Sequence, residues 1–236
     1  MFFPIGDTQV SGDYKPIISY SLIAINIAVF LMQSGIPGNL LCHFGMIPSN
    51  IVEGRDYVTI LTSLFLHGDM MHLFGNMLFL WIFADNIEAK VGHFLFLSFY
   101  LAGGFMASLV HILVTLQPGT NAFSSCIPCL SPSPCDTTVF PGFIPTVGAS
   151  GAISAIMGAY LIMFPSSKIK ILFLIFLRSF YLPAFIFLLI WFGQQLLSGF
   201  VSLHSSNTQS ADVAWWAHIG GFVTGILTGI FFRKKV

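Results

Sequence analysis

The sequence predicts an all-α polytopic membrane protein, and three observations carry that expectation. Charged residues make up only 8% of the 236-residue chain, where soluble domains carry about 25%. Apolar residues reach 56%, with 26 phenylalanines, more than a water-soluble globule of this size can keep off its surface. The apolar residues also fall into six long runs, and the lysines and arginines sort to one side of them. The formal net charge is zero, and no basic block exceeds three residues. Nucleic-acid binding therefore lacks its electrostatic footprint, and no nucleic-acid partner is expected.

A membrane-crossing helix needs about 20 mostly apolar residues. The six candidate spans are residues 16–32, 71–87, 94–116, 148–164, 183–200 and 213–232. They are too long and too continuous for strands, which alternate polar and apolar residues. Strands are therefore not expected. The stretch 168–181 (KIKILFLIFLRSFY) is apolar but carries Lys168, Lys170 and Arg178. It reads as an interfacial segment lying on the membrane and leading into the fifth span. The domain division is a short tail (1–15), one six-span membrane domain (16–232) and a basic tail (233–236). No internal repeat of about 20–50 residues is visible.

Orientation follows the Lys/Arg bias. Lys15, Lys90, Lys168, Lys170, Arg178, Arg233, Lys234 and Lys235 fall on one side of a six-span topology, and Arg55 alone on the other. Both termini are thus expected in the cytoplasm, with loops 33–70, 117–147 and 201–212 outside. The first sixteen residues have no basic n-region and no cleavage site, so span one reads as an uncleaved anchor rather than a signal peptide. The short tails favour a bacterial inner membrane. Cys42, Cys126, Cys129 and Cys135 all fall in the outer loops, where an oxidising compartment permits disulfides. Four cysteines allow three pairings, and a structural disulfide ranks above free thiols and above a metal site.

Strongly polar side chains inside hydrocarbon are costly and mark function. Three clusters stand out. His72 and Asn76, four apart in FLHGDMMHLFGN, share one helical face and can donate hydrogen bonds to one point. His67, just before that helix, reads more simply as an anchor of the helix start. Ser150 follows Gly148 and precedes Gly151 at the start of span four. A serine in a membrane helix usually bonds back to its own backbone, but at a helix start its hydroxyl is exposed among free N–H groups that suit a developing oxyanion. His218 lies in span six, shortly before Gly221, Gly225 and Gly229, which recur every fourth residue. Span four offers Gly151, Ala155 and Gly158 at helical spacing. Two such smooth faces pack backbone to backbone, which would bring His218 to Ser150. A neutral imidazole there would take the hydroxyl proton. No carboxylate inside the spans is placed to orient His218, so the expected chemistry is a dyad rather than a triad, with His72, Asn76 and the Ser150 N–H as oxyanion donors.

The segments TSLFLHGDMMHLFGNMLFLWIFADNIE (62–88), GASGAISAIMGAY (148–160) and AWWAHIGGFVTG (214–225), in that order and on those spans, resemble the rhomboid family of intramembrane serine proteases. The resemblance covers the membrane domain from span one (IAINIAVF) to the end. It implies a six-transmembrane-helix rhomboid-like bundle. It implies that Ser150 is the nucleophile, that His218 is general base and then acid, and that His72 and Asn76 stabilise the oxyanion. It implies a water-filled cavity open to the outside, and substrates that are single-pass transmembrane proteins of the same bilayer. Such a substrate would enter near span five and be cut near its outer end at small residues, with no cofactor or metal.

Three departures from the family pattern stand in the sequence. Arg55 is displaced from a Trp-Arg pair that the family often carries before the Thr-Ser step, where Asp56-Tyr57-Val58-Thr59 stands here. Ser154 occupies a position that is often aromatic and packs on the histidine ring, so His218 must be held in another way. The loop 117–147 is long and cysteine-bearing. Two other functions compete. An inactive rhomboid-like protein that binds membrane clients would be expected to lack the serine or histidine, and both are present. A transporter or proton channel using His67, His72, His111 and His218 would be expected to show repeat symmetry.

Overall fold

A computed structural model of the chain describes residues 2–8, 14–35, 40–116, 129, 141–173, 178–204 and 213–235. It is predominantly helical. The long helices are α1 (Ile17–Gly35), α5 (Met70–Val91), α6 (His93–Thr115), α7 (Ser150–Met163), α8 (Ala184–His204) and α9 (Trp215–Lys235). They fall on the six apolar runs. Between α1 and α5 lie the short helices α2 (Leu40–Phe44), α3 (Pro48–Val52) and α4 (Thr59–Thr62). By length and composition, α1, α6, α8 and α9 are long and apolar enough to cross a membrane. Helix α5 has the length, with 22 residues, but carries Asp85, Glu88 and Lys90 near its end. Helix α7 has only 14 residues and lies at the centre, where every residue from Gly151 to Tyr160 is buried. Exposed apolar side chains such as Leu31 and Met32 on α1 and Ile190 and Leu197 on α8 face the surroundings, as a hydrocarbon solvent requires.

The centre is held by small residues. A Cβ on Gly221 would collide with the carbonyl oxygen of Gly151, one on Gly225 with that of Ala155, and one on Gly158 with that of Phe222. The backbones of α7 and α9 therefore touch directly, as the two matched small-residue faces predict. On the α6 side, a Cβ on Gly103 would stand 2.6 Å from the Ala155 Cβ. Around this seam the aromatic side chains Phe83, Phe96, Tyr100, Tyr160 and Phe222 are fully buried. Gly92, with φ +83°, turns the chain from α5 straight into α6.

The expectation that no strands form is corrected at one end of the bundle. The segment read as leading into the fifth span carries strands on either side of residues 174–177. These are β2 (Lys168–Phe173) and β3 (Arg178–Pro183), and β1 (Phe2–Gly6) pairs with β2 in an antiparallel sheet of order β1-β2-β3. Pro4 stands opposite Ile171, and Ile171 opposite Phe180. The physical reason is a local alternation that the overall apolarity of the segment masks. Lys168-Ile169-Lys170-Ile171 alternates with period two, and Ile169 and Ile171 are buried while Lys168 is exposed. Next to the sheet, Asp7 accepts hydrogen bonds from Asn86 and Tyr160, and the Tyr160 oxygen accepts from the Ser167 hydroxyl at 2.8 Å. Glu88, fully buried, accepts from the Ser19 and Ile18 N–H groups at 2.7 and 3.0 Å. It thereby satisfies orphan donors at the start of α1.

Candidate active site

The opposite end of the bundle brings together side chains from four helices. Helix α5 starts there because Asp69 caps it, accepting from the Met71 and His72 N–H groups at 2.7 and 2.9 Å. His72 and Asn76 lie one turn apart on its inner face. The Gly68 N–H points at His72 Nδ1, 3.5 Å away, which makes Nδ1 the acceptor and leaves the ring hydrogen on Nε2. His72 Nε2 and Asn76 Nδ2 both aim at Gly148. A Cβ there would stand 2.7 Å from the first and 3.4 Å from the second. Gly148 also has φ +120°, a conformation that side-chain-bearing residues rarely adopt. Its missing side chain leaves space beside two donors. The Asn76 amide nitrogen is buried with no hydrogen-bond partner among the described residues. A buried, unused donor is costly, and here it faces a cavity.

Ser150 is the first residue of α7. Its side chain does not bond back to its own helix. The hydroxyl donates to Nε2 of His218, 2.8 Å away and 68 residues distant in the chain. The Gly151–Gly221 and Ala155–Gly225 backbone contacts set this reach by bringing α7 and α9 to their closest approach. Ser154 does bond back, to the Ser150 carbonyl oxygen at 2.7 Å, so it does not hold the imidazole. Instead, Trp191 of α8 and Trp215 of α9 flank the ring, with centroids 6.1 and 6.2 Å away. Gln195 of α8 accepts from His218 Nδ1 at 2.8 Å.

His67 lies behind His72, ring centroids 5.2 Å apart and edge to face. Its carbonyl oxygen accepts from the Gln33 side chain at 2.6 Å, while both ring nitrogens are buried without a hydrogen-bond partner among the described residues. It supports His72 by packing. His111, on α6, meets the Thr146 hydroxyl at 3.2 Å and stands outside the Ser150–His218 pair. Sequence reasoning missed Gln195. A signal existed, since Gln194-Gln195 interrupts an otherwise apolar run. Helical phase decides between them: Gln194 is exposed and Gln195 is buried.

A cavity of about 640 Å³ opens over these groups, lined by His72, Asn76, Ser150, Trp191 and His218 and by the segment 144–147. Leu41 lines it from α2, and the neighbouring Cys42 forms a disulfide with Cys129. The expected structural disulfide thus joins the loop 33–70 to the long loop 117–147. Cys126 and Cys135 lie outside the described residues. Among the described residues, no three His, Cys, Asp or Glu side chains are grouped to hold a metal ion.

A serine hydroxyl bonded to an imidazole, beside two donors aimed at one empty point, is the arrangement the sequence motifs imply. The family model described as the Rhomboid domain matches residues 54–235. The chain belongs to the rhomboid family. It is an integral, multi-pass membrane protein of that family. Among its relatives is "Rhomboid protein 1, mitochondrial" of Saccharomyces cerevisiae, 27% identical over 223 residues, covering 92% of this chain and 54% of that protein. "RHOMBOID-like protein 12, mitochondrial" of Arabidopsis thaliana is 29% identical over 205 residues, covering 82% and 56% respectively. "Rhomboid protease GluP" of Bacillus subtilis is 27% identical over 128 residues, covering 52% of this chain and 25% of that one. The chain spans about half the length of the first two of these rhomboids. Two of the three carry mitochondrial names, so the expectation of a bacterial inner membrane draws no support from them.

Proposed function

We propose that this rhomboid is a serine endopeptidase that cuts the transmembrane helices of other, single-pass membrane proteins within the bilayer, using Ser150 and His218 as a dyad. The observation that carries this reading is the 2.8 Å hydrogen bond from Ser150 Oγ to His218 Nε2, beside the buried, unpartnered amide of Asn76. The Ser150 oxygen attacks the scissile carbonyl carbon as its proton passes to His218 Nε2. The carbonyl oxygen becomes an oxyanion in the space at Gly148. There His72 Nε2–H, Asn76 Nδ2–H and the free N–H of Ser150 in the first turn of α7 donate to it. The imidazolium gives its proton to the leaving amine, the C–N bond breaks and an acyl-enzyme forms. Water from the cavity, deprotonated by His218, releases the second product and restores the serine. The roles of Gly151, Gly221 and Gly225 are to seat α7 against α9, and that of His67 is to back His72.

The Lys/Arg bias supports cytoplasmic termini, with the cavity opening to the other side. No step calls for a cofactor or metal. The inactive, client-binding alternative gains nothing from a geometry in which both dyad members are present and bonded. The deciding test is Ser150→Ala in proteoliposomes holding a reporter with one transmembrane segment. Cleavage is expected to vanish while the thermal midpoint of the protein stays unchanged. Undiminished cleavage refutes the nucleophile.

A further inference from the structure

We propose that Gln195 is a positioning residue for this dyad: its side-chain oxygen holds the Nδ1–H of His218, so that the unprotonated Nε2 faces the Ser150 hydroxyl. The inference rests on the reading of Ser150 and His218 as nucleophile and base. A neutral imidazole has one donor and one acceptor nitrogen, and only an acceptor at Nε2 takes the serine proton. The glutamine amide has two chemically different ends, and the backbone of α8 tells them apart. One end lies 3.3 Å from the carbonyl oxygen of Trp191, one turn earlier on the same helix. A carbonyl oxygen only accepts, so this end is the NH₂ group. The other end, 2.8 Å from His218 Nδ1, is therefore the oxygen, and it demands a hydrogen on Nδ1. Nε2 is left as the acceptor, and Ser150 Oγ–H donates to it. One polarity thus runs from the backbone of α8 through the amide and the imidazole to the serine.

The position is built for this task. Gln195 is only 4% exposed, whereas its neighbour Gln194 is exposed. Trp191 and Trp215 confine the ring but offer no side-chain acceptor to Nδ1. Asp69, a carboxylate at the cavity wall, is engaged in capping α5. When Nε2 takes the serine proton, Nδ1–H keeps its acceptor, and no proton leaves the ring by that side. A neutral amide does this without placing a carboxylate among apolar helices, where it would carry a desolvation cost.

The test uses the full chain in lipid bicelles and the rate at which a fluorophosphonate probe labels Ser150. Varying the probe concentration separates the maximal labelling rate from half-saturation. Gln195→Met keeps length and packing but removes the acceptor. Its maximal rate is expected to fall about 100-fold, the lower end of what a positioned base supplies, with half-saturation unchanged. Gln195→Glu offers an acceptor oxygen in either protonation state, and its rate is expected to stay within about tenfold of the parent, since the acceptor and not the amide is what Nδ1 requires. Gln195→Asn, one methylene too short, gives the Met result again and replaces that variant if Met prevents folding, as read from the thermal midpoint. A Met variant as fast as the parent overturns the proposal. So does a folded Glu variant as slow as Met, because packing rather than the acceptor would then be responsible. A parent protein that is not labelled, or is labelled equally after Ser150→Ala, overturns the dyad itself and the role of Gln195 with it.

Discussion

Asn76 carries the sharpest consequence at the scale of single residues. Its amide nitrogen is buried and unpartnered and lines the cavity beside Ser150, so a group bound there can take up its free hydrogen. In the proposed reaction the oxyanion satisfies it. Asn76→Ala is therefore expected to lower kcat on a transmembrane reporter by about 10²–10³, the cost of one oxyanion donor. KM should change little, because the donor acts mainly on charge that develops in the transition state. A loss confined to KM would assign Asn76 to ground-state binding. At this scale the sequence named Ser150, His218, His72 and Asn76, because a polar residue in an apolar run is a strong signal. It did not name Gln195, because a glutamine in a span reads alike whether it faces lipid, another helix or a ring nitrogen.

At the scale of elements, the α7–α9 seam fixes the distance between serine and histidine. Gly225 lies against the carbonyl oxygen of Ala155 with no room for a Cβ. Gly225→Leu is expected to push the helices apart and destabilise the fold by about 1–3 kcal/mol or more, the usual cost of overpacking. Probe labelling of Ser150 should fall with the thermal midpoint. A stable variant with parental labelling would mean that the seam does not set the site. The four-residue glycine period made this contact legible. The sheet was not legible in the same way. Residues 168–181 are apolar overall, and average apolarity hid the period-two alternation of KIKI. The partner strand β1 lies more than 160 residues away in sequence, so no local pattern announces the pairing.

At the scale of the whole molecule, one covalent link joins distant loops. The Cys42–Cys129 disulfide has a sequence separation of 87 and ties α2, whose Leu41 lines the cavity, to the loop before α7. Mass spectrometry of non-reduced protein from an oxidising compartment is expected to find the Cys42 and Cys129 peptides linked. Reduction should lower the thermal midpoint. Chain-entropy arguments put closure of so long a loop at about 4–5 kcal/mol, an upper bound here because the bilayer already pins the spans. Peptides found linked in another pairing would overturn this arrangement of the loops. By itself, the amino-acid sequence determined that the chain lives in a membrane, where its helices begin, and which side chains are too polar to be there without purpose. Those follow from the hydrocarbon solvent and from local periodicity, which need no partner. Only the tertiary structure decided which cysteines meet, that Lys168–Phe173 pairs as a strand with Phe2–Gly6, and that an amide from α8 meets the imidazole of α9. Each of these is a contact between distant segments, and its energy exists only once the helices have packed.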